Sequence, residues 1–378
     1  MTHVFQVGGV TVKFIMVNQV MFYQVMFYRL LLILTILLQG CSGNNIMAAA
    51  SKDVIQVNKE DKFKLMASEG APKLYPMEII AGSFFDPTGG SLYIPNKATL
   101  HHGWGRGWSN HIVGDNLKVL PNKVALSFFS YTENKFYEAK FTLPYEKILK
   151  LFKAGYTNPR DGEPTTFDQL NVGVAPGGYV SVWAEGMDRR IEVFTGYATE
   201  EEGRWESVNT NPDITREEYV RLGIEDVLKK EEILSIKQNG IPFGLWETYS
   251  QRYNWQLVLN GMAFEKNLID RISYFNGEHD FLYYPMDGAI LTATRAIPSD
   301  FYFVWAREGK DGLVVDLKFN EAEILAAFKK LGSHNEPLKL EFRMVKKANG
   351  KNDLTIWLQN EKETIELKKI SAETYSKP

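Results

Sequence analysis

The densest group of chemically capable side chains is His101-His102-Gly103-Trp104-Gly105-Arg106-Gly107-Trp108-Ser109-Asn110-His111. Three imidazoles within eleven residues could bind zinc or copper. Glycines and tryptophans interleave them, however, and no carboxylate stands at helical spacing, so no metal is expected. Two other readings fit the same residues. An exposed loop of His101, Trp104, Arg106, Trp108 and His111 can contact a protein partner, because Trp and Arg dominate binding hot spots. The same aromatics can equally be loop residues that cover a sheet edge. Gly103-x-Gly105-x-Gly107 lacks the third glycine of a nucleotide loop at the right spacing, and no helix follows to hold a phosphate.

Other chemistry is sparse. The chain has no Gly-x-Ser-x-Gly elbow and no His-Glu-x-x-His. Glu278-His279-Asp280 places an imidazole between two carboxylates, which could act as an acid/base pair. Neighbours in sequence do not face one point, so solvated charge on a polar loop is expected there. Asn209-x-Asn211-x-Asp213 faintly resembles a calcium loop, but Ile214 replaces the glycine and Val220 the bidentate glutamate. No catalytic residue, cofactor or enzymatic activity is expected.

Cys41 is the only cysteine, and the residues before it give it a role. Arg29 precedes the apolar run Leu30–Leu38, which is shorter than the ~20 residues needed to cross a bilayer but suited to a secretory leader. Leu38-Gln39-Gly40-Cys41 resembles the lipobox of bacterial lipoproteins. That resemblance implies cleavage between Gly40 and Cys41 and a diacylglycerol on the thiol. Ser42 stands where an aspartate would signal retention in the inner membrane, which implies an outer-membrane destination with the body in the periplasm. Two or more acyl chains anchor stably where one does not. Met16, Met21 and Met26 each offer a start, so residues 1–40 are set aside as signal peptide.

From Cys41 onward there are 338 residues with 41 bases against 46 acids. That balance argues against a nucleic-acid partner and against a polybasic membrane patch. With 13% aromatics, a β-rich body is expected, stabilised by burial rather than disulfides.

The elements that must position these residues come in two sets. Val124–Tyr131 and Lys135–Leu143 flank a turn at Glu133-Asn134; Phe301–Ala306 and Leu313–Phe319 flank Gly309–Gly312. Both read as hairpins. A short helix follows each, Pro144–Lys153 stopped by Gly155, and another from an Asn320 N-cap to Gly332. Further hairpins follow: Leu170–Val174 with Tyr179–Trp183, and Leu338–Val345 with Leu354–Trp357. Trp183 and Trp357 lie 174 residues apart, as do Ile191 and Ile365, while Ile148 and Ile324 lie 176 apart. Near-constant offsets predict an α+β fold of two tandem copies of a β-rich domain, each with antiparallel hairpins and one short helix. The expected segments are a signal peptide (1–40), lipidated cysteine and tether (41–73), first copy (74–200), acidic linker with helix (201–240) and second copy (241–378). In the linker, Thr215-Arg216-Glu217-Glu218 reads as a capping box that opens one helix to about Lys237.

Pro121, the Ser127–Tyr137 strand pair, Leu143-Pro144 and Val172–Gly178 with Trp183 resemble an uncharacterised family of bacterial envelope lipoproteins, over roughly residues 74–197. The second copy lacks the Ala-Pro-Gly-Gly turn. Similar lipoproteins are associated with genes beside type VI secretion lipase effectors, which implies a periplasmic immunity protein. The expectation is a non-enzymatic lipoprotein that binds a toxin or envelope protein, with an envelope structural or glycan/lipid-binding role through Trp104 and Trp108 as the alternative.

Overall fold

Strand structure begins inside the segment expected to be a tether. The computed structural model describes Asn58 and residues 61–109, 114–158, 160–203, 205–209, 211–260, 268–283, 292–307, 310–332, 336–346 and 352–376. Lys62–Lys64 pairs with Leu117–Val119, and β1 (Met66–Gly70) is a buried strand. The tether expected over 41–73 is therefore corrected for 62–73. β1 buries Ser68 and Glu69, so it lacks the apolar alternation that identifies a half-buried strand.

After β1 come β2 (Met77–Phe85), β3 (Ser91–Tyr93), β4 (Lys123–Ser130) and β5 (Lys135–Thr142). β4 and β5 form the expected hairpin, in register from Lys123↔Thr142 to Ser130↔Lys135. Asn134 closes its turn at φ 55°, a region that asparagine tolerates. Helix α1 (Tyr145–Ala154) buries Tyr145, Ile148 and Phe152. It ends at Gly155, whose φ of 55° and contact with Thr165 leave no room for a side chain. The hairpin of β6 (Gln169–Ala175) and β7 (Tyr179–Glu185) turns at Pro176-Gly177-Gly178, where both glycines have positive φ. Every residue of β6 is buried, as befits a strand covered on both faces. β8 (Arg190–Tyr197) pairs with β7, and β9 (Thr199–Glu201) with β5.

The linker holds two helices instead of one. α2 (Arg216–Val227) starts as expected, with the Thr215 hydroxyl accepting from the Glu218 amide at 3.2 Å. It breaks at Leu228, which takes an extended conformation and turns its side chain inward. α3 (Lys230–Asn239) restarts with the Glu232 carboxylate accepting from the Lys229 amide at 2.9 Å. α2 packs on the first half: Tyr219, Val220 and Ile224 join Trp205 against Phe129, Tyr131 and Phe136. A short α4 (Leu245–Tyr249) follows and buries Trp246.

The remaining strands are β10 (Tyr253–Asn260), β11 (Leu268–Tyr274), β12 (His279–Tyr283), β13 (Ala293–Arg295), β14 (Pro298–Arg307) and β15 (Lys310–Phe319). Then come α5 (Glu321–Leu331), β16 (Leu338–Lys346), β17 (Asn352–Gln359), β18 (Thr364–Leu367) and β19 (Ile370–Ser376). Asn320 caps α5 by accepting from the Glu323 amide at 3.1 Å. Trp255, Phe301, Phe303, Phe328 and Phe342 dominate the core between the sheets of this half.

Pairings arrange most of these strands in three sheets. One runs β9-β5-β4-β2-β3, with Thr99–Leu100 also on β2; another runs β13-β10-β16-β17-β18. The third is nine-stranded, β1-β6-β7-β8-β12-β11-β14-β15-β19. It joins strands of the first half to strands of the second where Arg190 on β8 pairs with His279 on β12. The body is thus β-rich α+β, and 57–378 form one compact unit. The segments expected as separate copies share a sheet.

Candidate functional site

The loop of histidines, glycines and tryptophans runs along the outer edge of β1. The Gly103 amide donates to Ala71 O at 3.0 Å and the Trp108 amide to Glu69 O at 2.7 Å. Asn171 on β6 donates to Gly105 O at 2.7 Å, and the Ser109 hydroxyl to Glu69 Oε1 at 2.7 Å. Burial, opposed by that hydrogen bond, pushes the Glu69 carboxyl up to about 7. Gly105 (φ 79°) meets Gly277 (φ 84°) back to back: a Cβ on Gly105 would lie 2.5 Å from the Gly277 Cα. Only glycine allows this approach.

Trp104 points inward from this loop. Its ring stands edge-on to Trp183 at 5.1 Å and lies 6.0 Å from Tyr179 and 6.3 Å from Trp246. It is a half-buried anchor and not the freely exposed platform of the glycan reading. Trp108 is 53% exposed and stacks on His102 at 3.6 Å. Burial, then the neighbouring His101, lowers the His102 pKa, so its ring stays neutral around pH 7. Arg106 is exposed. His111, Gly40 and Cys41 lie outside the described residues.

Beneath this loop, the two halves meet through a buried polar network. Glu192 on β8 accepts from the Ser181 hydroxyl at 3.0 Å, the Ser250 hydroxyl at 2.9 Å and the Asn276 amide at 3.2 Å. Its own amide donates to Glu278 Oε1 at 2.8 Å, and Arg252 pairs with that same oxygen. Lys147 on α1 donates to Glu192 O at 3.2 Å, its pKa lowered by burial and then by Arg252. Burial, then the charge of Glu278, pushes the Glu192 carboxyl up to about 7. Trp183 Nε1 donates to Asn276 O at 3.0 Å and completes the tie to the Asn276-Gly277 turn.

The expectation that Glu278-His279-Asp280 is solvated loop charge is therefore overturned. Glu278 is 7% exposed, and Asp280 pairs with Arg189 at 3.2 Å. The reason is tertiary: Arg252, Glu192 and Arg189 come from distant parts of the chain to meet them. Burial, then Arg190, Arg271 and Arg106, hold the His279 pKa down to about 3.

A cavity of about 850 Å³ opens at this junction. Trp104, Arg106, Gln169 and Arg190 line it from the first half; Arg271, His279, Asp300 and Lys318 line it from the second. Among the described residues no group of three or more His, Cys, Asp or Glu is placed to hold a metal, and no helix is long and apolar enough to cross a membrane.

Residues 52–244 match the model of a family described as protein of unknown function (DUF2931). The chain belongs to this family. No curated protein and no solved structure matches it. Within the family match lie the loop at 101–109, Trp183, Glu192 and helices α2 and α3. Arg252, Arg271, Glu278 and His279 lie beyond it. The junction cavity is thus walled partly by the matched region and partly by the rest of the chain.

Sequence reading singled out Trp104, Arg106 and Trp108, and the structure places Trp104 and Arg106 on the wall of that cavity. It missed Glu69, Glu192, Arg252 and Arg271. A carboxylate amid apolar strand residues, as in Arg190-Ile191-Glu192-Val193, was the one local signal available.

Proposed function

We propose that this family member is a non-enzymatic, lipid-anchored protein of the bacterial outer membrane that binds another protein on the periplasmic side. The observation that carries this reading is the loop at 101–109. It is tied to β1 by backbone hydrogen bonds and anchored by Trp104, yet leaves Arg106 and the His102/Trp108 stack on the surface. A rigid aromatic and guanidinium surface loses little entropy on binding, and such residues dominate hot spots. The partner class implied by the resemblance to envelope lipoproteins is a secreted lipase-type toxin, neutralised by occlusion.

The lipid anchor rests on Leu38-Gln39-Gly40-Cys41. Replacing Cys41 with Ala should move the protein from the membrane fraction to the soluble periplasm; retention in the membrane would end that reading.

Two copies of one domain are also part of this proposal. β1 lies parallel to β6 as β10 lies parallel to β16, and β6-β7-β8 pair in the order of β16-β17-β18. The order β3-β2-β4-β5-β9 corresponds to β12-β11-β14-β15-β19. These shared pairings, with the 174-residue offset of Trp183 and Trp357, support a duplication.

Pull-down with proteins encoded beside this gene, followed by co-expression with each candidate toxin, tests the binding role. Trp108→Ala should weaken capture about thirtyfold, corresponding to roughly 2 kcal/mol for a hot-spot aromatic. Unchanged capture would mean that the loop is edge cover alone.

A further inference from the structure

We propose that the junction cavity is a binding site for a small polar solute carrying a phosphate or carboxylate group, held by Arg106, Arg271 and Lys318. This site goes beyond the protein-binding role and does not depend on it. Its volume of about 850 Å³ falls in the range of small-molecule pockets, about 300–1,000 Å³. Its wall is polar, with Trp104, Tyr274 and Tyr302 its only large apolar rings beside the His279 imidazole, which suits a hydrophilic occupant and not an acyl chain.

The charges on the wall do not cancel locally. Each acid has a cationic partner, Glu185 in Arg190, Asp188 in Arg160 and Glu278 in Arg252, although Glu185 Oε2 and Asp188 Oδ2 are buried with no hydrogen-bond partner among the described residues. Asp300 takes Arg271 Nε at 3.2 Å and the Ser273 and Ser299 hydroxyls at 3.0 Å each. Two of those acids are served by Arg160 and Arg252, which are not on the wall. Arg106 and Lys318 are exposed on the wall and have no acceptor among the described residues. Arg271 commits only Nε to Asp300, and its terminal nitrogens remain for a planar oxyanion. Arg190 Nε is also buried with no partner among the described residues, on a side chain 11% exposed.

The His279 imidazole reports where these charges converge. After burial, it is Arg190, Arg271 and Arg106 that disfavour its protonation. A neutral imidazole there can donate one N–H to an oxyanion or accept from a hydroxyl on the same solute. With Arg160 and Arg252 counted beside the wall's own cations, the pocket carries a local excess of positive charge in a chain of net charge −3, which selects anions against the overall field.

Isothermal titration of the full chain purified in detergent, at 150 mM salt, tests the site with inorganic phosphate, citrate and glycerol 3-phosphate. Saturable one-site binding of at least one probe is expected. Arg271→Gln and Arg106→Gln should each weaken it at least tenfold, while Arg221→Gln, paired with Glu225 on the exposed face of α2 and off the wall, should leave it unchanged. Thermal melts of the unliganded variants separate loss of binding from loss of fold, and Arg106→Gln is expected to melt with the parent chain. A preference for glycerol 3-phosphate over phosphate would point to a headgroup-like solute; the reverse order would point to the free ion. No saturable binding of any probe, or binding that survives both substitutions, would overturn the proposal.

Discussion

Replacing Arg252 with Met should destabilise the folded body by roughly 3 kcal/mol, at the low end of what is lost when one partner of a buried ion pair is removed. The reason is the state of its partner. The Glu278 side chain is 8% exposed and Arg252 33% exposed. Without the guanidinium, the Glu278 carboxyl group loses its ion-pair partner in a place with little water to replace it. The loss should be confined neither to one half nor to one sheet, because Arg252 precedes β10 and Glu278 Oε1 also holds the Glu192 amide of β8. Urea unfolding at pH 7 would measure it. Arg160→Ala is the control: its pair with Asp188 has the arginine 69% exposed, and its loss should cost under about 1 kcal/mol. Adding Glu278→Gln to the Arg252→Met variant should recover part of the stability. If it recovers nothing, the effect of Arg252 is packing and not charge.

The second large effect is a dependence of stability on pH that runs opposite to ordinary acid denaturation. Glu192 and Glu69 both have carboxyl pKa values raised by burial, from 4.5 to about 7. A raised folded pKa means that the native state binds protons more tightly than the unfolded chain. Their contribution is therefore fully present below about pH 4.5 and is lost as pH rises through about 7. For Glu192 alone the loss is on the order of 3 kcal/mol, since one pKa unit corresponds to about 1.4 kcal/mol. Glu78 and Asp280, raised mainly by burial, work in the same direction. Glu341, lowered mainly by its bond to Arg343, works against it.

Urea midpoints of the parent and of Glu192→Gln at pH 5 and pH 8 would show this. The glutamine should be less stable at pH 5, where its amide faces the Asn276 amide that Glu192 accepts from. It should lose much less between pH 5 and 8. Parallel pH profiles for the two proteins would mean that Glu192 does not titrate in this window.

Local structure was readable wherever the chemistry is local. Val124 to Ser130 alternates, Pro144 and Gly155 bracket a helix, and Asn320 caps another; each lies where the pattern put it. The family, too, was legible as an uncharacterised one. The misses share a cause: buried polar residues whose partners lie far away in sequence. β1 was hidden because Glu69 and Ser68 look solvated until the loop at 101–109 covers them. Glu278 looked like surface charge because Arg252 and Glu192 lie 26 and 86 residues away. The break between α2 and α3 was missed because Leu228 fits a helical stripe equally well, and only the core decides that it turns inward.

The nine-stranded sheet has one further consequence, for the order of assembly. Its edges are β1, which opens at Met66, and β19, which closes at Ser376. β1 pairs in parallel with a strand about a hundred residues later, and β19 closes the far side from residues 370–376. The strands of the first half can pair among themselves, but β8 gains its second neighbour only once β12 is available. Non-local pairing of this kind slows folding and exposes strand edges while the chain waits. Removing β19 should therefore be punished more heavily than its small area suggests, because it bares the edge of β15.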